Sequence, residues 1–69
     1  MKSRFRDLRE DNDLTQQQVA DAIGITQRKN SYLETETQPL TAELLVKIAD
    51  FYDINIDYIL FRTENRDRI

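Results

Sequence analysis

Gln27, Arg28, Lys29, Ser31 and Tyr32 crowd one short segment with side chains that make hydrogen bonds of defined geometry. A glutamine amide can bond N6 and N7 of adenine together, and an arginine guanidinium can do the same to O6 and N7 of guanine. Tyr32 suits a base edge or a thymine methyl, Ser31 a secondary polar contact, and Lys29 either a phosphate or a base. Such chemistry is selective only if a rigid element holds these side chains outward at regular spacing.

The flanking residues describe that element. Thr15 followed by Gln18 is a capping box, in which the hydroxyl takes the N3 amide and the glutamine reaches back to the cap, so a helix starts near Gln16. Val19, Ala20 and Ile23 recur at helical spacing as its buried side, leaving Gln17 and Asp21 outward. Gly24, the single glycine of the chain, follows Ile23, where a left-handed residue ends a helix. Thr26, with no Glu or Gln three residues on, is a simpler cap for a second helix from Gln27 to about Thr35. The turn between the helices is then about four residues long, as a helix-turn-helix requires.

The stretch LTQQQVADAIGITQRKNSYLET resembles the Cro/cI-repressor-like, Xre-type helix-turn-helix family. The resemblance is carried by Gln16, Ala20, Gly24, Ile25, Thr26, Gln27, Leu33 and Glu34, and beyond the motif by Phe51-Tyr52 and Asp57-Tyr58-Ile59-Leu60. It extends over roughly residues 3–62. It implies an all-α, compact five-helix lambda-repressor-like domain, with the helix-turn-helix at helices 2 and 3, that regulates transcription by binding double-stranded DNA. In that geometry the second motif helix enters the major groove and the first crosses the backbone. By resemblance, Gln27 stands where the family places an adenine-reading Gln and Gln16 where it places a phosphate-contacting one; Gln17 is a weaker DNA-binding candidate. The family's habit of binding near-palindromic operators as dimers points to a homodimer, and helix 5, with Tyr58, Phe61 and Ile69, is the candidate surface.

The rest of the chain fits a single small domain. Its 69 residues, one glycine, one proline and 39% hydrophobic content favour helices around a modest core. Ser3 to about Asn12 reads as a first amphipathic helix with Phe5 and Leu8 inward. Thr41 caps a fourth helix with Leu44, Leu45, Ile48, Ala49, Phe51 and Tyr52 as its apolar stripe, and Asn55 caps a fifth with Ile56, Ile59 and Leu60 inward. Residues 1–62 form the domain, and 63–69 are expected to be a charged, flexible tail. With no Cys and no His, thiolate metal sites, disulfides and the commonest general base are excluded. The scattered carboxylates suggest solvation, so neither an enzyme nor a cofactor or small-molecule site is expected. No apolar run is long enough for a membrane span or a signal peptide, which places the protein in the cytoplasm.

Charge and two residues depart from the pattern. Ten basic against thirteen acidic residues leave a net charge of −3, whereas DNA-binding domains are commonly basic. A positive face then depends on separating Lys2, Arg4, Arg6, Arg9, Arg28, Lys29, Arg62, Arg66 and Arg68 from Glu43, Asp50, Asp53 and Asp57. The acidic balance also keeps an alternative in view: a protein-interaction module or antitoxin on the same fold. Asn30 occupies a packing position where the family has an apolar side chain, and Glu36 a position where it has glycine. On sequence grounds Asn30→Ile and Glu36→Gly should each raise the melting temperature.

Overall fold

The computed structural model describes residues 2–68, which form five helices and, among these described residues, no strand. These are α1 (Phe5–Asp11), α2 (Gln16–Ile23), α3 (Gln27–Glu34), α4 (Ala42–Tyr52) and α5 (Ile56–Ile59). The starts follow local side-chain chemistry. Thr15, Thr26, Thr41 and Asn55 each accept the N3 amide of the helix they precede, and Thr15 and Gln18 complete both halves of the capping box. Helix α1 begins two residues later than its apolar pattern suggests. Ser3 Oγ accepts the Phe5 amide at 3.3 Å, and the Arg4 amide turns away to the Ile59 carbonyl at 2.7 Å.

All five helices end in one way. A residue with positive φ follows the last turn, and the next amide bonds the carbonyl five residues back. The left-handed residues are Asp13, Gly24, Glu36, Asp53 and Phe61. The closing bonds run from Leu14 to Arg9, Ile25 to Ala20, Thr37 to Tyr32, Ile54 to Ala49 and Arg62 to Asp57. This motif commonly places an apolar residue just beyond the left-handed one, against the helix it ends. Leu14, Ile25 and Ile54 occupy that place and pack on the core, with Ile54 fully buried.

Glycine serves only one of these ends. A Cβ at Gly24 would meet nothing within 4 Å, so backbone conformation, not space, demands glycine there. Glu36, at φ 63°, adopts the same region with a side chain, at a cost of roughly 1–2 kcal/mol. Glu36→Gly is therefore expected to stabilise the domain by about 1 kcal/mol once the greater freedom of glycine in the unfolded chain is counted. A thermal melt should show a rise of roughly 4–8 °C, and no rise would mean that Glu36 is not strained.

The core lies between α1, α2, α4 and α5, with Leu33 of α3 inserted. Its fully buried side chains include Phe5, Val19, Leu33, Ile48, Ile54 and Ile59. The stripe on α4 is narrower than expected. Leu44, Leu45, Ile48 and Ala49 are buried, but Phe51 is 42% exposed and lies edge-on to Tyr52. On α5, Ile59 is buried while Ile56 and Leu60 are only partly covered, since the helix spans four residues.

Residues 63–68 lie back along the domain. The Asn55 Nδ2 donates to the carbonyls of Asn65 and Asp67 at 2.7 and 2.6 Å, and its backbone amide donates to Arg66. Arg68 pairs with Asp50 at 2.7 Å and with Asp53 at 3.6 Å.

Candidate nucleic-acid interface

Side chains four apart on a helix share a face, so Gln27 lies in line with Ser31, and Arg28 with Tyr32. Gln27, Arg28 and Lys29 are exposed, Tyr32 retains 38% exposure, and Ser31 is half-buried. Neither Arg28 nor Lys29 has an acidic partner among the described residues, so both guanidinium and ammonium are open to an anionic ligand. Gln16 is half-buried at the N-terminal end of α2. Gln17 is exposed, but its Nε2 is already bonded to Asp21 one turn on, at 2.7 Å.

Beneath this surface lies a polar cluster centred on Glu34, whose side chain is only 2% exposed. Arg9 donates to it through two nitrogens, at 2.7 Å to Oε2 and 3.0 Å to Oε1, and uses its third to bond the Leu14 carbonyl. Asn30 Nδ2 donates to Oε2 at 2.7 Å, and Gln16 Nε2 reaches Oε1 at 3.4 Å. Gln16 in turn accepts from Gln27 Nε2 at 3.5 Å. Four donors thus converge on one carboxylate. Burial pushes the Glu34 pKa up, but the hydrogen bonds from Arg9, Gln16 and Asn30, with the Arg9 charge, more than offset this and hold it below the usual carboxylate value. The same pairing raises the Arg9 pKa above its ordinary value. Tyr52 borders the pair; burial pushes its phenol up to about 12, with Arg9 opposing and Glu34 adding to the shift.

Asn30 is fully buried, and Glu34 is its local solution. Its Nδ2 makes a bond to a charged acceptor, worth about 1.5–3 kcal/mol, while its Oδ1 has no partner, at a cost of about 1–3 kcal/mol. The two contributions nearly cancel. Asn30→Ile is therefore expected to leave stability almost unchanged, in contrast to the gain anticipated from the sequence.

The positive face is smaller than the sequence suggests. Arg9 is committed to Glu34, and Arg6 pairs with Glu10. Arg4 bonds the Tyr58 carbonyl, lies 4.2 and 4.3 Å over the Tyr58 and Phe61 rings, and pairs with Glu64. Arg62 pairs with Asp57, Arg68 with Asp50, and Arg66 lies over Tyr58. Lys2 and Arg66 also lack an acidic partner among the described residues, but the unpaired cations on the readout helix itself are Arg28 and Lys29. Sequence reasoning placed Arg9 among the surface cations and assigned Glu34 no chemical role. An arginine on the first helix and a glutamate ending the third was the available signal, but their 25-residue separation hides the pairing.

A capped helix, a three-residue turn that begins at Gly24, and a second capped helix presenting Gln27, Arg28 and Tyr32 define a helix-turn-helix. A helix-turn-helix family model matches residues 5–59, and the chain belongs to the Cro/cI-like, Xre-type branch of that family. It is 38% identical over 64 residues to an uncharacterized HTH-type transcriptional regulator, YobD, of Bacillus subtilis, covering 93% of this chain and 57% of the relative. It is 41% identical over 64 residues to the cryptic phage CTXphi transcriptional repressor RstR of Vibrio cholerae, covering 90% of this chain and 56% of that protein. The chain thus spans little more than half the length of these relatives. No solved structure matches it.

Proposed function

We propose that this chain is a sequence-specific double-stranded DNA-binding module of a transcriptional repressor, acting in the bacterial cytoplasm and reading the major groove with α3. The observation that carries this is the exposed row of Gln27, Arg28 and Tyr32 on a helix capped at Thr26 and backed by α2. Gln27 and Arg28 read base edges, Tyr32 and Ser31 extend the contact one turn along, and Lys29 holds a phosphate. Gln16, at the start of α2, bonds the backbone where the helix N-terminus also favours an anion. Gln17 can join it with the second N–H that its bond to Asp21 leaves free.

Selection of bound duplexes from a randomised pool tests the reading. Enriched sites should contain adenine and guanine at adjacent positions, repeated as a near-palindrome with half-sites about one helical turn apart. No enrichment at low salt, together with recovery of a protein partner, would favour an interaction module instead. Because Arg28 and Lys29 are the unpaired cations on the readout helix, affinity should fall with salt far less steeply than a slope of about 10; a slope of that size would contradict the contact set. The dimer surface we assign is α5 with the half-buried Tyr58 and with Phe61, which is 45% exposed and projects from a left-handed backbone; Ile69, also expected there, lies outside the described residues. A chain that sediments as a monomer both alone and on selected duplex would rule this surface out.

A further inference from the structure

We infer that Asn30 is a positioning residue for base readout: it orients the Glu34 carboxylate so that Gln16, and through it Gln27, is held in one amide orientation. This rests on the DNA-reading function proposed above. Asn30 itself is fully buried and meets no ligand. Its influence passes through hydrogen bonds.

The relay has a definite polarity. Asn30 and Glu34 stand four apart on α3, and Asn30 Nδ2 takes Oε2 at 2.7 Å. Arg9 spans both oxygens from the other side. Together they fix the carboxylate plane and leave Oε1 toward α2, where Gln16 Nε2 reaches it at 3.4 Å. Because a carboxylate only accepts, Gln16 must present its nitrogen to Glu34 and its oxygen outward. That oxygen accepts from Gln27 Nε2 at 3.5 Å. Gln27 is therefore held with its nitrogen beside Gln16, and one N–H and its oxygen remain free. A donor and an acceptor in fixed order are what adenine N7 and N6 require. Without the relay the Gln27 amide could turn over and offer the reverse order.

An aliphatic residue at position 30 would fill the core but remove one of the two donors on Oε2, leaving Arg9 to hold the carboxylate from one side alone. Asn30 thus substitutes a hydrogen bond aimed at the readout machinery for part of the apolar packing. Its unpartnered Oδ1 is the feature that pure packing does not explain.

The test compares wild type with Asn30→Leu and Asn30→Ala, which remove the donor with and without keeping volume. Folding is checked by circular dichroism, and binding is measured on pool-selected duplexes and on variants at the adenine assigned to Gln27. Both substitutions should reduce discrimination at that base pair by roughly three- to tenfold and leave discrimination at the Arg28 base intact. In a Gln27→Ala background, neither should change discrimination further. In the free protein, the side-chain amide resonances of Gln16 should move in both variants. Equal weakening on every duplex, or unchanged discrimination in a wild type that discriminates, would overturn the relay alone. A folded wild type that binds no duplex would overturn the DNA reading and the relay with it.

Discussion

Arg9→Met should destabilise the domain by about 3–5 kcal/mol at neutral pH, because it strands a buried carboxylate without its counter-charge. A chain of 69 residues is expected to hold only about 3–10 kcal/mol in all, at roughly 0.05–0.15 kcal/mol per residue. Much of the variant should therefore be unfolded under mild conditions, as urea denaturation would show. Asn30 and Gln16 still donate to Glu34 in the variant, but they carry no charge. Changing Glu34 to leucine as well should recover much of the loss, because no charge is then left buried. Failure of the double variant to recover would place the loss in the bond from Arg9 to the Leu14 carbonyl or in the Asn30 amide left without its acceptor, which a triple variant with Asn30→Leu separates.

The pH dependence of this loss has a fixed sign. Glu34 is held below its ordinary pKa in the folded state, burial being outweighed by the hydrogen bonds it accepts and the Arg9 charge. The unfolded chain therefore binds this proton more readily. The stabilisation is fully present above the unfolded value of about 4.3 and is lost as pH falls through the folded value. Wild type should thus lose stability in acid. Arg9→Met, whose Glu34 lacks the charge that kept it ionised, should lose less, and the gap between the two should narrow as pH falls from neutral toward 4. A constant gap would remove the ion pair as its source.

Gln27→Ala and Arg28→Ala carry the next largest expected effects, on binding. Each should cost about 1–3 kcal/mol on the preferred duplex and relax selection at one base, adenine for Gln27 and guanine for Arg28. Lys29→Ala should instead weaken all duplexes alike and reduce the salt slope by about 1. Quantitative binding to the selected duplex and its single-base variants separates these patterns. A uniform loss from Gln27→Ala would return that residue to the phosphate contacts. The base-reading substitutions should leave melting temperature nearly unchanged, because both side chains are exposed.

The helix starts were legible because a cap is a local device: Thr15, Thr26, Thr41 and Asn55 each reach an amide three residues ahead. Gly24 was legible for the same reason. The other four left-handed ends were less so, since Asp13, Asp53 and Phe61 carry side chains that do not announce that conformation, and Glu36 stood out only against the family pattern. Phe61 holds it with the Arg4 guanidinium over its ring, a contact across almost the whole chain. Ile54 joined the core unannounced because it follows such an end rather than lying on a helix face.

At the interface, spacing alone placed Gln27, Arg28 and Tyr32 on one helix, because side-chain direction follows from position along a capped helix. The partners of the cations could not be read in that way. Arg4, Arg9 and Arg68 find Glu64, Glu34 and Asp50 over separations of 18 to 60 residues, so only the folded chain decides which charges remain open. The sequence by itself determined the helix-turn-helix and the side chains it displays, since both depend on interactions within a few residues. Only the tertiary structure decided that Arg9 holds the Glu34 carboxylate on which Asn30 is buried, that Gln16 links that carboxylate to Gln27, and that little positive charge remains beside them, because each depends on groups brought together from different helices.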